Sequence, residues 1–93
     1  MFKNITEVKK ANKAQGGHFF DRSAMRFFNS KVESEVYEGR YFITSERYDL
    51  DTPKRFTVRQ VSETGEILED LFGFQAFDSL ATALVMLGRE LGK

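Results

Sequence analysis

The side chains of this sequence that can do chemistry are few and scattered. His18 is the only histidine. A histidine can act as a general base near neutral pH, but a metal site needs further ligands and no carboxylates stand at ligand spacing nearby. A surface or partly packed loop histidine is therefore expected. The chain has no cysteine, so disulfides, iron–sulfur clusters and thiolate zinc sites are excluded. No serine or threonine is flanked by the glycines of a nucleophile elbow. Gly16-Gly17 is followed by no Lys-Ser/Thr pair and preceded by a helical pattern, so it is not a phosphate loop. Glu33 and Glu35 fall on the polar side of an alternating stretch, and Glu66, Glu69 and Asp70 cluster further on. A hydrolytic pair needs one desolvated acid, whereas these residues sit in polar stretches where solvated carboxylates are the rule. The expectation is a protein that is not an enzyme and holds no cofactor or metal.

The aromatic residues say more. There are ten phenylalanines and three tyrosines, with no tryptophan. Phe19-Phe20 and Phe27-Phe28 are doublets, and adjacent residues on a helix or strand point in different directions. Either the short helix is sandwiched, or Phe20 or Phe27 is exposed and binds a partner. Phe27, flanked by Arg22 and Arg26, has the aromatic-plus-arginine character that dominates protein interfaces. Lys9, Lys10 and Lys13 can add electrostatic steering. Up to Lys31 the chain has seven basic and two acidic residues, and the remainder has seven basic and twelve acidic. Such a split can mark a basic face for an acidic partner.

Nucleic acid is the alternative partner. Arg40-Tyr41-Phe42-Ile43 invites comparison with the aromatic strand of RNA-recognition sheets, although the spaced glycine of that motif is missing. Either the basic helix or a sheet face lined by Arg47, Arg55 and Arg59 can contact phosphates.

These residues need a scaffold, and the chain suits one domain spanning 1–93. Asn4 with Glu7 starts a helix, Phe2, Ile5, Val8 and Ala11 form its apolar stripe, and Gly16-Gly17 ends it. A short helix from Asp21 or Ser23 to Asn29 or Ser30 has Met25 and Phe28 on one side and Arg22 and Arg26 on another. Val32 to Tyr37, Arg40 to Tyr48, Arg55 to Val61 and Ile67 to Phe72 are predicted strands. Glu38-Gly39 and residues 63–66 are turns, and 50–54 is a loop. Asp78 or Ser79 caps a last helix with Leu80, Leu84, Leu87 and Leu91 on one stripe. The fold class is α+β: an antiparallel three- to four-stranded sheet packed by N-terminal and C-terminal helices, both expected on one face. No signal peptide or membrane span is legible, so a cytoplasmic protein is expected. Monomer and homodimer are both open.

Three stretches together look familiar: Gly17-His18-Phe19-Phe20 running into Met25-Arg26-Phe27-Phe28-Asn29-Ser30; Gly39 to Glu46; and Arg55-Phe56-Thr57-Val58-Arg59. From about Ala11 to Phe77 the sequence resembles a group of short uncharacterised proteins of phages, plasmids and other mobile elements. The resemblance implies no active site. It implies an accessory protein that binds and inhibits a host or defence protein, as anti-CRISPR and anti-restriction proteins do.

Overall fold

A computed structural model describes residues 1–27, 29–49, 51–68 and 70–92. The expectations for Phe28, Leu50 and Glu69 lie outside the described residues. The chain runs α1 (Ile5–Ala14), α2 (Arg22–Phe27), β1 (Lys31–Val32), β2 (Tyr41–Glu46), β3 (Arg55–Gln60) and α3 (Leu80–Leu91). The strands form one antiparallel sheet in the order β1-β2-β3. This is the expected α+β class with helices at both ends.

Local chemistry sets the element boundaries. Asn4 accepts the N–H of Glu7 at 3.0 Å and starts α1. The Glu7 carboxylate reaches back to the N–H of Lys3, one residue short of a reciprocal capping box. Ser79 does the same service for α3, accepting the N–H of Thr82. Glu38 and Gly39 both have positive φ, 52° and 69°. That pair turns the chain so that Tyr37 and Tyr41 bridge across it, as the mirror-image hairpin turns require.

Two strand expectations fail. Beyond Val32 the ladder with β2 gives way, because the Ser34 hydroxyl takes the N–H of Ile43 at 2.8 Å in place of a backbone carbonyl. The described residues of the predicted strand Ile67 to Phe72 do not form one either. Leu68 and Leu71 instead satisfy the free edge of β3 at separate points: Leu68 N–H donates to Gln60 O and Leu71 N–H to Val58 O. Leu71 and Phe72 both pack into one cluster rather than alternating. Further on, positive φ at Gly73 and Gln75 breaks the extended path.

The helices do not share a face. The register pairs Ile43 with Val58 and Phe42 with Arg59, so alternate residues of β2 look to opposite sides. Ile43 and Val58 pack with Ala83 and Leu87 of α3. Phe42 packs with Val8 of α1, Val61, Phe19 and Phe20. The reason is in β2 itself: Tyr41, Phe42 and Ile43 are apolar in succession, and a strand apolar on both sides needs cover on both.

α1 is locked to the rest by a close approach. Gly65 lies in the turn after β3 with φ of +96°, and a Cβ there would fall 2.5 Å from the backbone of Ala11. The buried Asn12 donates to Gly65 O at 2.9 Å across the same contact. A glycine is the residue that permits both the conformation and the approach.

Candidate partner-binding surface

Phe19 and Phe20 both turn inward. They lie in the bend between α1 and α2, not on a regular element, so the rule that neighbours diverge does not bind them. Their rings meet edge to face at 4.8 Å, and each stacks near Phe42 at about 6 Å. This anchors the start of α2, where His18 and Lys13 both approach Asp21, at 2.8 and 3.8 Å. Lys9 lies over the ring of Phe20 at 5.9 Å.

From that anchor α2 projects with no buried residue among those described. Arg22 and Arg26 are exposed, and Phe27 is 74% exposed. Lys9, Lys10 and Lys13 are exposed on α1. Lys9 and Lys13 touch the same bend that carries α2, so the structure brings lysines and the short helix to one corner. At α2's far end Asn29 donates to Arg47 O at 3.2 Å, tying the helix to the end of β2.

The three arginines of the sheet expectation behave differently from one another. Arg47 donates twice to Thr52 O, at 3.1 and 2.9 Å, and closes the loop after β2. Arg55 is exposed and donates to Gln75 O at 2.8 Å. Arg59 is drawn in, its side chain 12% exposed. It pairs with Glu46 at 3.2 Å and with Asp70 at 2.9 Å. Its guanidinium also lies over the rings of Phe19 at 5.0 Å and Phe74 at 5.6 Å. Arg59 is thus held by two carboxylates. Asp70, expected as a solvated carboxylate, is half of that arrangement.

Sequence reasoning missed the residue at the centre of this cluster. Glu46 is fully buried. It accepts from Thr44, from Thr57 at 2.6 Å and from Arg59. A signal existed: Phe42, Thr44 and Glu46 share a parity on β2, as Thr57 and Arg59 do on β3. Only the register, however, sets Glu46 within reach of Arg59.

Beside Arg59 opens a cavity of about 330 Å³, lined among others by Asn12, Gln15, His18, Phe19, Arg59 and Glu66. Its ionisable members are spoken for or solvated. Arg59 serves Glu46 and Asp70, and His18, with a side chain 82% exposed, hydrogen-bonds Asp21 through Nδ1. Among the described residues no group of three or more His, Asp or Glu side chains is placed to hold a metal ion. No described helix is long and apolar enough to cross a membrane.

No curated protein and no solved structure matches this chain. A family model matches residues 4–87, which takes in all three stretches that carried the resemblance. On that match the chain belongs to a family of unknown function, DUF7447.

Proposed function

We propose that this protein is a non-enzymatic binding module that docks α2 and the neighbouring lysines of α1 onto an acidic protein surface. One observation carries the reading: a helix of six residues that buries none of those described and leaves Arg22, Arg26 and Phe27 all exposed. Isolated helices this short are not stable in water, so α2 persists because its ends are tied down, and its exposed side chains are offered to something else. An aromatic anchor with flanking arginines supplies apolar burial, and the charges supply orientation. The finer reading is an accessory protein of a phage or mobile element whose partner is a host or defence protein that it inhibits. That reading draws on the resemblance.

The test is affinity purification from the natural host with nuclease treatment, comparing wild type, Phe27→Ala and Arg26→Glu. A protein retained by wild type and lost by both variants, with unchanged circular dichroism, supports the proposal. Equal recovery by all three removes it. The alternative, nucleic acid held by Arg47, Arg55 and Arg59, has weaker support because Arg59 would have to leave Glu46 and Asp70. Binding of an oligonucleotide that falls steeply with salt and with Arg55→Ala would favour it.

A further inference from the structure

We infer that the cavity beside Arg59 is a binding site for a small organic cation, an ammonium group carried on a compact apolar body. The cavity lies between the end of α1 and the segment after β3, so the inference does not rest on docking by α2.

At about 330 Å³ the cavity has the size of a small-molecule site. Phe19, Ile67 and Leu68 supply apolar wall. Arg59 lines it too, but its guanidinium is committed to the fold. Its Nε donates to Thr44, Nη1 to Asp70 and Nη2 to Glu46, and it lies over the rings of Phe19 and Phe74. Two carboxylates against one guanidinium leave a surplus of one negative charge behind the wall. The rest of the lining adds to that sign. No ion pair offsets the carboxylate of Glu66 among the described residues. Gln15 caps the carboxyl end of α1, and that end of a helix carries partial negative charge. His18 is bonded to Asp21 at 2.8 Å, so any positive charge it takes up meets a carboxylate outside the cavity lining.

Acceptors converge at the same place. Asn12 is 3% exposed and donates from its amide nitrogen to Gly65 O, which leaves Oδ1 to accept. A Cβ built on Gly17 would fall 2.6 Å from the amide nitrogens of Asn12 and Gln15 and 2.7 Å from Asn12 Oδ1. Glycine at this position therefore lets two side-chain amides meet over bare backbone at the rim. An ammonium is a donor with no acceptor capacity, and amide oxygens with a carboxylate satisfy it. An anion would meet the surplus negative charge instead.

The experiment is a titration of the full chain, followed by amide NMR, with three probes of similar shape and different charge: phenethylammonium, phenethyl alcohol and hydrocinnamate. Phenethylammonium is expected to shift the amides of Gly17, Ile67 and Leu68 saturably and to bind about tenfold more tightly than the alcohol. Hydrocinnamate is expected to leave these amides unshifted. Glu66→Gln is expected to remove most of the tenfold advantage of the ammonium with circular dichroism unchanged, since Glu66 is exposed. The comparison of the three probes on wild type keeps the test decisive if that variant disturbs folding. Absence of a saturable shift with phenethylammonium would overturn the proposal. Hydrocinnamate binding as tightly as the ammonium would overturn it equally, as would ammonium binding indifferent to Glu66→Gln.

Discussion

On one side of the sheet, α3 presses Ala83 and Leu87 onto Ile43 and Val58, and half-buried Phe56, Leu71, Phe72, Phe77, Leu80 and Leu84 pack around them. On the other side, the apolar cover of Val8, Phe42 and Val61 occupies only part of the surface. The rest is Thr44, Glu46 and Thr57, fully buried, with Arg59 and Asp70 closing over them. The two sides are held by different physics. Apolar burial is non-directional and roughly proportional to area, so losses there are graded. A buried polar cluster depends on every member being matched, because each orphaned group bears its full desolvation cost.

That contrast can be broken most directly at Glu46. Replacing it with alanine leaves Arg59, Thr44 and Thr57 without their shared acceptor, and removing one partner of a buried pair costs about 3–5 kcal/mol. The expected result is a large drop in the urea midpoint. A loss below about 1 kcal/mol would mean that water takes over the role of Glu46. Replacing Glu46 and Arg59 together with leucine and methionine is expected to cost less than Glu46→Ala alone, since apolar groups can substitute for a matched pair. A double-mutant cycle measures the coupling.

On the α3 side, Leu87→Ala is expected to cost about 2–4 kcal/mol through lost burial and the cavity left behind. A conservative Leu87→Met should recover most of it. A failure of Leu87→Met to recover would show this side to be as exacting in shape as the other is in partners. Next in size is Asn12→Ala, which leaves the carbonyl of Gly65 without its buried donor and should cost about 1–2 kcal/mol. Native-state hydrogen exchange should then show the turn at residues 62–66 opening before β2 and β3. The smallest expected effect is that of Phe27→Ala. It should change stability by no more than about 0.5 kcal/mol while abolishing partner capture. If it destabilises strongly, Phe27 is a packing residue and the proposed interface loses its anchor.

Part of this architecture was legible beforehand. Asn4 and Ser79 announce their helices because capping depends on a few consecutive residues. Glu38-Gly39 announces its turn because few residue pairs accept positive φ in succession. The parity of β3 was legible too, with Phe56 and Val58 on one side and Thr57 and Arg59 on the other. The predicted strands at Val32 to Tyr37 and Ile67 to Phe72 look equally sound by alternation. They fail because Ser34 and the irregular run beside β3 satisfy the backbone by other means. Of the surface residues, Phe27 was picked out as a doublet member beside arginines. Arg59 was read as part of a phosphate-contacting sheet face because its partners Glu46 and Asp70 are distant in sequence.

Sequence alone determined the three helices, the two long strands, the lack of cysteine, and the local caps and turns, since these depend on neighbours along the chain. Tertiary structure alone decided that α1 and α3 cover opposite faces, that Glu46 and Asp70 both meet Arg59, and that Val85 looks outward. Each of these needs the register of β2 on β3 and the direction in which the chain crosses the sheet. Those are set by packing between residues distant in sequence, and no local pattern encodes them.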